Sequence, residues 1–315
     1  MRLENEEESS NVEDKRGESG GFRFPGGGGG PMASGGRGGF GLITTLVLFG
    51  LAMLFGFDPR AILGGGGGGI QLPGGAPAPR IDAGLPRAGV SGGRVLPQGQ
   101  DTDDLRTFVS RVLKTTEEVW GPQFRSFGKT YTEPKLVLFE GHYPTACGEG
   151  MAAMGPFYCP VDQKVYLDMN FFKDLATRFG SPGKFAQAYV IGHEVGHHVQ
   201  TLLGISDKVQ ALKSRMGQRE QNALQVRMEL QADCLAGVWA HQAHRAKQIL
   251  EPGDIEGALH AASAIGDDTI QRQVQGRVVP DAFTHGSAEQ RVRWFRRGLE
   301  TGDIQGCDTF NAREL

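Results

Sequence analysis

Residues 193–197 read His-Glu-Val-Gly-His, a pattern that could bind a metal ion and activate water on it. On a helix, His193 and His197 face the same way, with Cβ atoms about 5–6 Å apart. Both imidazoles can then reach one Zn²⁺ at about 2.0–2.1 Å. Glu194 lies one residue further round, where it can deprotonate a metal-bound water without being a ligand. Chance would produce this pattern about 0.01 times in a chain of this composition, so two unrelated core histidines are a poor explanation.

A zinc ion that acts on a substrate needs a third protein ligand, which must come from elsewhere in the fold. Glu229 and Asp233 are four residues apart in a segment that is otherwise rich in apolar residues. Buried carboxylates need partners. We therefore expect Glu229 to bind the ion and Asp233 to accept a hydrogen bond from a ligand histidine. The alternatives are a solvated helix face or salt bridges to Arg219 or Arg227.

Three further histidines lie near these residues in the sequence. His241 follows Glu229 by twelve residues, which is about 18 Å along a helix, so one ion cannot easily use both. We interpret His241 and His244 as surface residues. His198 points about 100° away from His197 on a helix, and we interpret it as a polar residue beside the site.

These residues must be positioned by helices. Ser181 as N-cap and Pro182 at the first helical position predict a helix that ends near Gly204. A second long helix, over about 219–249, ends before Pro252. The remaining pattern predicts helices at 101–120, 170–178 and 254–264, strands at 135–140 and 164–168, and a capping box at Ser287 that begins a helix to about 298. The expected fold class is helix-dominated α+β with a small sheet.

The front of the chain differs in composition, because 28 of the 49 glycines lie in residues 1–100. An acidic cluster and five successive glycines predict a disordered tail over 1–37. Residues 38–57 carry no charge, and twenty residues match a hydrocarbon layer of about 30 Å, so they predict a transmembrane helix. Residues 58–100, rich in glycine and proline, predict a flexible linker. The folded domain is expected at 101–315.

The position of the apolar run argues for a membrane span that stays in the protein. A cleaved signal peptide would occupy the first 15–30 residues or so, and a buried core helix would need neighbours that the glycine-rich flanks cannot supply. Arginines lie on both sides of the predicted span, so the positive-inside rule gives only a weak preference for one orientation. We expect the short tail inside and the large domain outside the membrane.

The net charge and the cysteines exclude some classes of protein and indicate a compartment. A net charge of -3 lacks the basic footprint of a nucleic-acid-binding protein. Four cysteines are too few for a disulfide scaffold but suffice for two bridges in an oxidising compartment. Pairing Cys147 with Cys159 by proximity leaves Cys234 with Cys307, and the alternative is a free, buried Cys234. The absence of a C-x-x-C pair argues against a separate zinc knuckle.

Together, His193-Glu194-x-x-His197 and Glu229-x-x-x-Asp233 resemble the site of the gluzincin, or thermolysin-like, zinc peptidases. Four stretches (155–160, 193–200, 229–239 and 284–287) resemble a bacterial family of neutral zinc metallopeptidases, and the likeness covers about 95–310. It implies a zincin-like fold with one zinc ion per chain. It also implies that His193, His197 and Glu229 are ligands, Glu194 is the base and Asp233 supports a ligand. In a bacterium, the span would be a single pass through the inner membrane with a periplasmic domain.

The expected function is therefore that of a membrane-anchored zinc peptidase acting on proteins or peptides. The developing oxyanion needs a donor, for which His285 is a candidate because it precedes a helix start, and Tyr158 and Tyr166 are others. Residues 164–168 could offer a sheet edge to an extended substrate. Two alternatives stay open, a non-catalytic module stabilised by zinc and a zinc amidase that acts on cell-wall peptide. Glu194 argues against the module, since a structural site needs no base.

Overall fold

A computed structural model of the chain describes residues 1–17, 98–151 and 155–315, without the side chains of 98–103 and 149–151. This part of the chain is helix-dominated α+β, which confirms the expected class. In order, its strands and α-helices are β1 (Val12–Asp14), α1 (Gln98–Ser126), β2 (Lys135–Phe139), β3 (His142–Thr145), β4 (Gly148–Met151), β5 (Phe157–Cys159), β6 (Lys164–Asp168), α2 (Met169–Thr177), α3 (Lys184–Leu202), α4 (Ile205–Lys213), α5 (Gln218–Lys247), α6 (Asp254–Ala264), α7 (Asp267–Gln275) and α8 (Ala288–Thr301).

The main sheet has four strands in the order β1-β2-β6-β5. Strands β1, β2 and β6 are parallel, and β5 runs antiparallel to β6. Strand β2 is almost continuously apolar because both of its faces are buried. Strands β3 and β4 form a separate hairpin. Since β6 lies inside the sheet, the prediction that 164–168 forms an edge is wrong, and β5 is the edge strand at that end.

Helices α3, α5 and α8 form the centre of the domain, around the fully buried side chains of Tyr189, Trp239 and Phe295. Helix α8 packs very closely on α5 at Gly298. A Cβ atom at Gly298 would overlap the carbonyl oxygen of Cys234 and come within 2.9 Å of the Cys234 carbonyl carbon and the Val238 nitrogen. Only glycine allows the two helices to come this close.

Two predicted helix boundaries are wrong. Helix α1 continues through Gly121 and Pro122 to Ser126, because its last turns bury Trp120 and Phe124 completely in the core. Tertiary burial there outweighs the cost of a proline near a helix end. Helix α3 begins after Gly183 rather than at Ser181, whose hydroxyl instead contacts Nδ1 of His260 at 2.7 Å. The capping box at Ser287 is confirmed.

The predicted disordered tail is wrong for residues 1–17, which fold against the domain. Strand β1 extends the main sheet, and the side chains of Met1 and Leu3 are each only 5% exposed. Composition misled the prediction because Glu6 and Glu13 are paired with lysines of the domain rather than solvated.

The remaining N-terminal predictions, the rest of the tail, the membrane helix at 38–57 and the linker up to residue 97, lie outside the described residues. The linker prediction is wrong for 98–100, which belong to α1. None of the helices in the described ranges has the length and apolar character needed to cross a membrane. Both predicted disulfides, Cys147–Cys159 and Cys234–Cys307, are present, so the alternative of a free Cys234 is wrong.

Candidate metal centre

The two motif histidines lie one turn apart in the middle of α3, with ring centroids 4.7 Å apart and planes nearly perpendicular. Between them, Gly196 faces α5. A Cβ atom at Gly196 would come 2.9 Å from the carbonyl oxygen of Ala232, closer than a real side chain tolerates. The glycine in the motif therefore lets α5 approach α3 closely enough for side chains of α5 to reach the histidines.

Glu229 of α5 is the side chain that this approach brings to the histidines. Its Oε2 atom lies 3.2 Å from Nε2 of His193 and 3.4 Å from Nε2 of His197. Its other oxygen accepts a hydrogen bond of 2.6 Å from Gln225. The carboxylate and both rings are largely buried, and the three ligand atoms lie within 4.8 Å of one another. His193, His197 and Glu229 thus form a group that could hold one metal ion.

The geometry of this group fits zinc. Ligand atoms at about 2.0–2.1 Å from a tetrahedral ion are separated by about 3.3 Å, and Oε2 of Glu229 lies 3.2 and 3.4 Å from the two Nε2 atoms. The hydrogen bonds of the two imidazole rings also suit metal binding, because they use Nδ1 and leave Nε2 free. Nδ1 of His193 donates to Asp233 at 2.8 Å, and Nδ1 of His197 donates to Oε1 of Gln200 at 2.9 Å. Each Nε2 atom is therefore left as a lone-pair donor facing Glu229.

Glu194 lies beside this group in a cavity of about 380 Å³ that the three residues also line. It is 7% exposed, and it accepts no hydrogen bond from any residue that the structure describes. Burial raises the pKa of Glu194 above its ordinary value. The carboxylate is thus available to a molecule in the cavity.

The family model described as "Putative neutral zinc metallopeptidase" matches residues 1–310 of the chain. The chain belongs to this family. It is 46% identical over 310 residues to the Escherichia coli (strain K12) protein called "Uncharacterized protein YpfJ", covering 98% of this chain and 99% of that protein. It is 44% identical over 278 residues to "Uncharacterized protein Rv2575" of Mycobacterium tuberculosis (strain ATCC 25618 / H37Rv), covering 84% and 86% respectively. No solved structure matches it significantly.

In this member of the zinc metallopeptidase family, Asp233 is the centre of a buried network. It accepts two hydrogen bonds of 2.9 Å from Arg291 of α8, one of 2.6 Å from Tyr189 and the bond from His193. Burial alone would raise the pKa of Asp233, but Arg291 and His193 lower it to about 2. A permanently ionised Asp233 fixes the orientation of the His193 ring.

His285 lines the same cavity from the loop before α8. Its Nδ1 atom lies 3.0 Å from the hydroxyl oxygen of Thr284 and 3.3 Å from one oxygen of Asp267. The other oxygen of Asp267 accepts hydrogen bonds from the backbone N–H groups of Thr284, His285 and Gly286 at 2.6–3.0 Å. The side chain of His285 is 46% exposed. Desolvation by the cavity wall lowers its pKa, but the hydrogen bond to Asp267 and the charge of Glu229 raise it above its ordinary value. The loop therefore presents a histidine that favours its protonated form.

The other predicted candidates lie elsewhere or are engaged. The hydroxyl of Tyr158 donates to Nδ1 of His198 at 3.0 Å, and Nε2 of His198 donates to the carbonyl of Thr132 at 2.6 Å. Burial lowers the pKa of His198 to about 4, so this ring stays neutral and holds Tyr158. Tyr166 donates to Asp162 and does not line the cavity. His241 and His244 form backbone hydrogen bonds away from the group.

Sequence reasoning missed four residues that support the site, namely Tyr189, Gln200, Asp267 and Arg291. For two of them a signal was present. Tyr189 precedes His193 by one helical turn, and Arg291 lies on the buried face of α8 with Trp294, Phe295 and Gly298. An arginine on an apolar stripe requires a carboxylate partner. Asp267 and Gln200 gave no comparable signal, because their roles depend on tertiary contacts.

Proposed function

We propose that the chain is a zinc-dependent peptidase in which Glu194 is the general base. The observation that supports this proposal is the position of Glu194. Its carboxylate has no hydrogen-bond partner among the described residues and lines an open cavity together with the three possible metal ligands, His193, His197 and Glu229. A purely structural zinc site closes its fourth position and has no use for such a carboxylate. The same cavity therefore counts against the non-catalytic module, and family membership supports a hydrolase.

In this mechanism, the protein supplies ligands, a base and an electrostatic environment. Zinc, when held by His193, His197 and Glu229, lowers the pKa of a coordinated water to about 7 and polarises a carbonyl group. Glu194 takes a proton on its carboxylate and passes it to the nitrogen of the departing amine. Asp233 keeps the His193 ring in place throughout, because Arg291 and Tyr189 hold it from the other side.

His285 is proposed to stabilise the negative charge that develops on the substrate carbonyl oxygen. Its Nδ1 proton faces the hydroxyl of Thr284 and the carboxylate of Asp267, and with the proton on Nδ1 the Nε2 atom carries a second one only in the imidazolium form. The raised pKa keeps that form populated to higher pH. Tyr158 is the weaker candidate, since its hydroxyl proton is already donated to His198.

The walls of the cavity indicate a substrate with an apolar side chain next to the cleaved bond. The apolar lining comprises Phe171, Phe179, Val190, Ile265 and Ile270. Pro156, Phe157 and Tyr158 also line it and lead into the edge strand β5. A peptide could therefore pair with β5 while it places an apolar side chain in the cavity. Membrane attachment through 38–57 is part of the proposal and rests on the sequence of that segment.

The proposed activity is tested by removing and restoring zinc in the purified full-length chain. We expect about one zinc ion per chain, cleavage of internally quenched peptides with apolar residues, loss of cleavage after treatment with a chelator, and recovery on adding Zn²⁺. Zinc bound at one per chain without cleavage of any peptide or unfolded protein would contradict the peptidase proposal. Cleavage of cell-wall peptides alone would support the amidase instead.

The pH dependence of this activity tests His285. The pKa of His285 in the folded protein is raised. The protonated imidazole therefore persists to higher pH and is lost as the pH rises through that pKa. In Asp267→Asn one of the two charges that raise this pKa is removed, and we expect the alkaline limb of kcat/KM to move to lower pH. In His285→Ala we expect that limb to disappear and kcat/KM to fall about 100-fold with zinc content unchanged.

Asp268→Asn is the matched control for this pH experiment. Asp268 is the neighbouring acid on α7, but it accepts from the backbone of Ala288 and has no bond to His285. Its pH profile should match that of the unmodified protein. An alkaline limb that stays in place in Asp267→Asn would exclude His285 as the group that titrates there.

A further inference from the structure

We propose that residues 1–17 lie on the same side of the membrane as the metal domain, here defined as residues 98–315. This differs from the orientation expected from the sequence, in which the tail is inside and the domain outside. The inference does not depend on peptidase activity. It rests on three kinds of contact between the N-terminal segment, residues 1–17, and the metal domain.

The first contact is strand pairing. Strand β1 extends the main sheet in parallel with β2, with Val12 opposite Leu136 and Asp14 opposite Leu138. The backbone N–H of Leu136 donates to the carbonyl of Asn11 at 2.9 Å, and that of Lys15 donates to the carbonyl of Leu138 at 2.8 Å. The N-terminal segment therefore satisfies backbone groups that β2 would otherwise expose at the edge of the sheet.

The second contact is burial. Met1 and Leu3 belong to the main hydrophobic core, and the backbone N–H of Arg2 donates to the carbonyl of Ile249 at 2.8 Å. Ser9 is 7% exposed and exchanges hydrogen bonds with Ser110 of α1, at 3.0 and 3.2 Å. These anchors all precede β1, and together with the strand they fix the segment along most of its length.

The third contact is charge complementarity. Glu13 pairs with Lys164 at 2.9 Å and with Lys135 at 3.2 Å, and Glu6 pairs with Lys247. The acidic residues that composition assigns to a solvated tail thus meet basic residues of the metal domain. The pairing, the burial and the charges all fit one arrangement, in which the segment is an integral part of the domain.

This arrangement restricts membrane topology. A single crossing between residues 17 and 98 would place the two partners in different compartments, where none of these contacts can form. In that interval only 38–57 is both uncharged and rich in large apolar residues, so it offers one crossing and no return. Residues 1–17 and the metal domain must therefore share a compartment, so the segment 38–57 attaches the chain to the membrane without a single pass across it. The disulfides Cys147–Cys159 and Cys234–Cys307 favour an oxidising one.

Cysteine labelling of the full chain tests the proposal. All four cysteines are paired, so a cysteine introduced in Ser10→Cys or Ser214→Cys is the one free thiol. Both positions are exposed, one in the N-terminal segment and one in the metal domain. After reactivity is verified in solubilised protein, spheroplasts are treated with a membrane-impermeant maleimide. We expect the two variants to be labelled to the same extent, either both in intact spheroplasts or both only after lysis.

Labelling of one variant in spheroplasts and of the other only after lysis would overturn the proposal. A second measurement tests the contact itself, through the double variant Ser9→Cys with Ser110→Cys. With a protease site inserted between residues 17 and 98, the cut N-terminal fragment should stay attached to the metal domain until reductant is added. Release of the fragment without reductant would also overturn the proposal. Both measurements can use a Glu194→Gln background, so they stay informative if the proposed function fails.

Discussion

Replacing Glu194 with Gln is expected to lower kcat/KM about 10³-fold while the zinc content stays at about one per chain. Gln keeps the size of the side chain and its place in the cavity, but it cannot take a proton. The metal ligands are unchanged, because Glu194 makes no hydrogen bond to His193, His197 or Glu229 in the described structure. The loss should therefore fall on kcat, with little change in zinc affinity.

The measurement is steady-state cleavage of a quenched peptide, with zinc determined on the same samples. Glu220→Gln is the matched control, since it makes the same chemical change at an exposed position of α5. Its kcat/KM should equal that of the unmodified protein. Equal rates in Glu194→Gln and Glu220→Gln would show that Glu194 is not the base.

The Gly298→Ala substitution is expected to lower the free energy of unfolding by about 3 kcal/mol or more. The added Cβ atom would overlap the backbone of α5 at Cys234, and backbone cannot yield as the tip of a flexible side chain can. Helices α5 and α8 would have to separate. Because α5 carries Glu229 and α8 carries Arg291, we expect zinc binding to weaken together with stability.

Gly257→Ala is the control for this substitution. Gly257 lies inside α6, and a Cβ atom there would meet no atom within 4 Å. Alanine is the better helix former by about 1 kcal/mol, so this variant should be as stable as the unmodified chain or more so. Urea unfolding of the full chain measures both variants. A Gly298→Ala protein as stable as Gly257→Ala would show that the two helices are not held at this distance.

The sequence predictions that agree with the structure depend mainly on residues that are close together in the chain. The H-E-x-x-H spacing predicts a helix with both histidines on one face, and α3 has that form. The capping box at Ser287 depends on residues three apart and is present as predicted. The convergence of Glu229 on the histidines was also predictable, because a buried acid on an apolar helix needs a positive partner.

The features that the sequence did not reveal depend on contacts between distant residues. Nothing within residues 1–17 indicates that β2 is their partner, and the acidic composition points to solvent instead. Asp267 and Arg291 reach the site only after α7 and α8 have docked. Pro122 stays inside α1 because Trp120 and Phe124 are buried, which local propensity cannot anticipate.

The parallel pairing of β1 with β2 also has a consequence for how the protein acquires its structure. The paired residues are separated by more than a hundred positions, and Arg2 bonds to Ile249, so these contacts close very long loops and form slowly. Residues 1–17 are therefore synthesised before their partners but are among the last residues to reach their native positions. Until they do, the edge of β2 is open to other unfolded chains, and aggregation competes with folding most strongly during that interval.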